Sequence, residues 1–132
     1  MSKRHASRNR VPFELEVDWF SPDIESLEDW IPERAEDVFY CLELAIRPVR
    51  GCEEHFFQAL IATPQGLQAH KERYGRLRKD SQRILFVFTD YSWADVEREI
   101  RTTVEQCTAG NLDDSLLNLR KRFQWEYEDY RG

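Results

Sequence analysis

Val38-Phe-Tyr-Cys-Leu-Glu-Leu-Ala-Ile46 and Glu54-His-Phe-Phe-Gln-Ala-Leu-Ile-Ala-Thr63 are the two stretches on which the fold turns. In the first, Tyr40, Leu42, Leu44 and Ile46 recur at every second position, the period that puts side chains on one face of a strand. In the second, Phe57, Ala59, Ile61 and Thr63 alternate with Phe56, Gln58, Leu60 and Ala62. Arg47-Pro-Val-Arg-Gly51 closes the first run, and the connection is short enough for an antiparallel hairpin.

Working outward, Phe13-Glu-Leu-Glu-Val-Asp-Trp19 alternates apolar and acidic residues without a break, which predicts a strand with one buried and one wet face. Ser21-Pro22-Asp23 stops it. Ile24, Leu27, Trp30 and Ile31 then fit helical spacing, as a short helix or turn before Pro32. On the other side of the hairpin, Thr63-Pro64 is a helix start: a hydroxyl cap followed by proline where no amide hydrogen is needed. Gly66 and Gly75 predict that this helix is short. Ile84-Leu-Phe-Val-Phe88, a continuous apolar run, predicts a central strand. Trp93, Val96, Ile100, Val104 and Cys107 step by three and four along an amphipathic helix, opened by Ser92 and Asp95 in the manner of a capping box. Leu112, Leu116, Leu119 and Phe123 make a second stripe after Ala109-Gly-Asn111, and Phe123–Tyr130 alternates again as a closing strand would. Together these elements predict an α+β fold: a mostly antiparallel sheet of four to five strands with two or three helices packed on one face. The chain of 132 residues fits a single domain over residues 13–132, preceded by a basic leader at 1–12 whose composition is that of a disordered segment.

Charge is unevenly spread. The formal net charge is −6, yet the first ten residues carry only Lys3, Arg4, Arg8 and Arg10, so the remaining chain is near −10. Between Glu14 and Asp37 ten carboxylates face one base, Arg34, with Trp19, Phe20 and Trp30 among them. Such a field steers a basic partner and repels nucleic acid, while aromatics within it suit a surface made to be covered. The same residues also fit a solvated face whose tryptophans turn into the core. One basic patch runs from Lys71 to Arg83 through Arg73, Arg76, Arg78 and Lys79.

The signals of chemistry are sparse. Cys41, Cys52 and Cys107 are odd in number and widely spaced, a pattern of free thiols in a reducing compartment. Cys52 and His55 have metal-like spacing but no second pair to complete a site. Five glycines form no phosphate-binding loop. No signal-type or membrane-spanning run occurs, so the expectation is a cytoplasmic, non-enzymatic protein without cofactor or metal.

With these segments placed, the chain resembles immunity protein family 8 of bacterial polymorphic toxin systems. Ser21-Pro-Asp-Ile-Glu-Ser-Leu-Glu-Asp-Trp-Ile-Pro-Glu33, Ile84-Leu-Phe-Val-Phe-Thr-Asp-Tyr91 with the helix after it, and Trp125-Glu-Tyr-Glu-Asp-Tyr130 carry the resemblance, which runs from about Phe13 to Tyr130. It implies a small protein that binds a cognate toxin domain and performs no catalysis. The residues expected to meet a basic toxin, such as a nuclease, are Asp23, Glu25, Glu28, Asp29, Trp30, Glu33 and Asp37. Asp90, Tyr91, Glu126, Glu128 and Asp129 extend that surface if the last segment lies nearby. No membrane or nucleic-acid partner is expected; a homo-oligomer is open. Two alternatives stand beside this one: a nucleic-acid- or ribosome-associated protein using the leader and the Lys71–Arg83 patch, and, more remotely, a small cysteine-dependent enzyme.

Overall fold

The structure, a computed structural model, describes residues 12–127. The leader apart from Pro12, and Glu128 and Asp129, lie outside the described residues.

The predicted hairpin is the centre of the molecule. Strands β2 (Phe39–Pro48) and β3 (His55–Ala62) pair antiparallel, and β1 (Leu15–Phe20) pairs antiparallel with the other edge of β2. Beyond β3 its free edge is divided lengthwise. β5 (Gln124–Trp125) pairs antiparallel with Phe57 and Gln58, while β4 (Leu85–Val87) runs parallel to Leu60–Ala62. The parallel pairing requires a crossover, supplied by helix α1 (Pro64–Tyr74) and the single turn α2 (Lys79–Gln82). Helices α3 (Trp93–Cys107) and α4 (Leu112–Arg122) complete the chain order before β5.

Period-two patterning decides which face is buried. Tyr40, Leu42, Leu44 and Ile46 join Phe57, Ala59 and Ile61 against Val96, Ile100 and Val104 of α3 and Leu119 of α4. Leu42, Leu44, Ile61, Ile100 and Leu119 are fully buried, and each such side chain contributes about 2 kcal/mol. The α+β class, the mostly antiparallel sheet and two helices on one face therefore stand as expected. Helix α1 belongs to the other face, where the Phe39 ring stacks on His70 at 4.0 Å.

Local chemistry accounts for the helix ends. Thr63 Oγ1 accepts from Gly66 N–H, Ser92 caps α3 through Asp95 N–H, and Asn111 caps α4 through Asp114 N–H. Gly66 is required inside α1 because a Cβ there would lie 2.0 Å from the Val38 carbonyl oxygen. Gly75 ends the helix with φ of +90°.

Of three local expectations, one is corrected and two are narrowed. The run at Ile84–Phe88 is not a central strand but the outermost one, three residues long. Phe86 is covered by stacking on Phe123 at 5.7 Å and Leu85 lies in the groove beside α1, while Val87 is left exposed. Of the short helix or turn expected over Ile24–Trp30, the turn forms, closed by Trp30 N–H to Ser26 C=O at 2.9 Å, and Pro32 follows too closely for it to continue as a helix. The closing strand is confined to Gln124–Trp125 among the described residues.

Candidate interaction surface

The segment from Ser21 to Asp37 is irregular but fastened. Ile24 and Leu27 are buried in the core cluster, and Tyr91 N–H donates to Ala35 C=O at 2.7 Å. Trp30 is half-buried and meets Tyr40 and Tyr91 edge-on at 5.8 and 5.2 Å. Beneath it the two phenol oxygens lie 3.0 Å apart. Burial pushes both phenols above the usual tyrosine range, most strongly Tyr40. Trp19 is clamped in the same way between Trp93 at 5.3 Å and the Arg101 guanidinium at 4.6 Å. The tryptophans thus pack inward, and Tyr91 is a buried peg.

What the segment presents outward is mainly carboxylate, with one large exposed apolar side chain, Ile31, among it. Asp23, Glu25, Glu28, Asp29, Glu33 and Asp37 are all exposed, and none forms an ion pair with a described residue. The base of the segment, Arg34, is taken by Glu36 at 2.7 Å. Asp90 is exposed beside the segment, next to Tyr91, whose own side chain is buried beneath Trp30. Glu126 does not lie beside the segment. Its N–H donates to Phe56 C=O at the opposite end of β3, about 20 Å along the strand from Ala62.

The basic patch is split by the fold. Arg83 turns inward, donating to the carbonyls of Arg120 and Phe123 at 2.6 and 2.9 Å, where it closes the C-terminal end of α4. Lys71 and Arg76 line a groove of about 540 Å³ floored by Leu67, Leu77 and Leu85.

Pattern reading passed over the sheet's outer face. Strand pairing sets Phe20, Glu43, Gln58 and Gln124 in one cross-strand row and Asp18, Ala45 and Phe56 in the next, which Glu126 extends. Arg47 gathers Glu16, Asp18 and Glu54 at 2.9, 3.4 and 3.3 Å. The signal was present: Phe20 and Phe56 occupy wet-face positions, where the alternation calls for polar residues.

Two of the three thiols, Cys41 and Cys107, are shifted away from the range of a nucleophile. Burial pushes the Cys41 thiol up to about 11, with the charges of Glu43 and Asp23 adding to the shift, and burial also raises Cys107. A nucleophilic thiol needs the opposite shift. Among the described residues no three His, Cys, Asp or Glu side chains gather as a metal-binding group, and no helix is long and apolar enough to cross a membrane.

Fold and surface together define a small α+β domain with an acidic exterior. Its family follows from the sequence: the model of immunity protein 8 matches residues 17–130, and the chain belongs to that family. Membership implies a cognate toxin as partner. No curated protein and no solved structure matches the chain.

Proposed function

We propose that this protein neutralises a cognate toxin domain by binding it directly, laying its acidic segment over a basic toxin surface. The family match across residues 17–130 carries the reading. The six exposed carboxylates from Asp23 to Asp37, none in an ion pair with a described residue, support the mode. They steer encounter with a basic protein and offer charge-assisted hydrogen bonds to arginine and lysine. Trp30 and the Tyr91 peg hold the segment in place, so less ordering entropy is lost on binding. On a nuclease, the surface covered would be the one that binds nucleic-acid phosphates. Occlusion, not catalysis, is the inhibitory act.

The test is titration calorimetry against the toxin domain encoded beside this chain, with wild type and a Glu25/Glu28/Asp29/Glu33→Ala variant. Tight wild-type binding weakened about 100-fold or more in the variant is expected. Absence of wild-type binding would sink the reading for that pair. Undiminished binding by the variant would keep immunity and remove this segment from the interface.

A further inference from the structure

The outer face of the sheet has two unlike halves. Under α1 it is roofed, with His70 on Phe39 and Leu67 beside Leu85. From β1 across to β5 no described helix covers it. There Phe20 is 53% exposed and Phe56 39% exposed, two aromatic rings on a pleated surface that no described element covers. Charge surrounds them: Glu16, Asp18 and Glu54 are tied to Arg47, whereas Glu43 and Glu126 form no ion pair with a described residue. Glu43, Phe56, Gln58 and Glu126 line a recess of about 140 Å³, enclosed on its remaining sides by Phe57, Gln124 and Trp125.

We infer that this open half is the floor of the toxin interface, and that the recess takes one arginine or lysine side chain of the toxin. The inference rests on the immunity reading above and adds to it where the aromatic anchors lie. An interface needs large, desolvated anchors at its centre and polar groups at its rim. The tryptophans of the acidic segment are only partly exposed, and each is engaged by neighbouring rings. Phe20 and Phe56 can fill that role, because they are exposed and fixed to strands. The floor is continuous with the acidic segment: Phe20 ends β1, Ser21 begins the segment, and the charge of Asp23 reaches Cys41 on the same outer face.

Charge selects the occupant. A second copy of this chain docked through the same face would set carboxylates against carboxylates, which is costly in an isologous contact. Nucleic acid and anionic lipid are repelled for the same reason. A basic protein surface is complementary. A long cationic side chain in the recess would meet Glu43 and Glu126 with its head and the Phe56 ring with its stem.

The experiment is calorimetry against the toxin domain encoded beside this chain, using wild type, Phe56→Ser, Glu43→Gln/Glu126→Gln and the control Lys71→Ala/Arg76→Ala. The glutamines keep shape and remove charge, so they test the recess even if Phe56→Ser disturbs the sheet. Thermal unfolding checks that each variant is folded. About a tenfold or greater loss is expected for Phe56→Ser and for the double glutamine, the latter with a shallower salt dependence, and no change for the control. If wild type binds and both outer-face variants bind within about twofold of it, the inference fails while the immunity reading stands. If wild type does not bind, both fall together.

Discussion

The two halves of one sheet face, a few residues apart along the same strands, meet water by different means. Under α1 the outer positions of β2, β3 and β4 are Phe39, Leu60 and Leu85, and the chain supplies a helix to cover them. Toward β1 and β5 the outer positions alternate between Phe20 or Phe56 and carboxylates, and no described element lies over them. The pleat is common to both, so the difference lies in the residues. A purely apolar half must be roofed by its own chain, whereas a half that mixes exposed rings with charge stays soluble and remains available to a partner.

The largest effect expected from breaking this comparison comes at the seat of the roof. Gly66→Ala places a Cβ 2.0 Å from the Val38 carbonyl oxygen, a backbone atom that cannot swing aside. Either α1 lifts or the Thr63–Val38 junction opens, where Thr63 Oγ1 accepts from Val38 N–H at 2.9 Å. A loss of about 3 kcal/mol is expected in urea unfolding, with increased self-association as the apolar half is uncovered. Unchanged stability would mean that α1 is not held where this geometry holds it.

A matched pair of smaller effects separates the halves directly. Phe39→Ser removes the ring under His70 and should cost about 2 kcal/mol while leaving toxin affinity alone. Phe56→Ser removes an exposed ring from a neighbouring strand and should cost less than about 1 kcal/mol, yet carry the affinity loss argued above. Unfolding curves and calorimetry on the two variants read both quantities. Equal stability costs would erase the distinction between the halves.

Much of this contrast was legible in the sequence, for a physical reason. Period-two runs of Leu, Ile and Phe declare a buried face whatever covers it, so β2, β3 and the Trp93–Cys107 helix fall where the pattern puts them. Acidic patterning likewise marked Asp23–Asp37 as outward-facing. The arrangement of strands beyond the hairpin was not legible. Nothing local to Ile84–Phe88 records that β4 shares an edge with β5, because that depends on how far the α1 crossover carries the chain. The packing partners of the tryptophans were not legible either. Amid carboxylates Trp30 looks like an anchor, but its partners Tyr40 and Tyr91 are distant in sequence and only the fold brings them together. Glu126 lies with Phe56 and not with the acidic segment because β5 runs antiparallel to β3 and carries it toward the far end.

The smallest effect sharpens the comparison from the segment's side, which is held by a buried phenol pair where the roofed half has a helix. Tyr40→Phe leaves the Tyr91 hydroxyl without its partner and should cost about 1 kcal/mol near neutral pH. The pH dependence carries more information than the size. Both phenols have folded-state pKa values raised above the unfolded value near 10, so the stability they contribute is complete below that pH and is lost as pH rises through it. In wild type both phenols add to the slope above pH 10, each by up to about 1.4 kcal/mol per pH unit; in the variant only Tyr91 does. The two stability curves should therefore be parallel below about pH 9 and converge above pH 10. Curves that stay parallel through that range would show that Tyr40 ionises as freely in the folded protein as in the unfolded chain. The segment would then be held by buried Ile24 and Leu27, the Trp30 contacts and the Ala35–Tyr91 hydrogen bond.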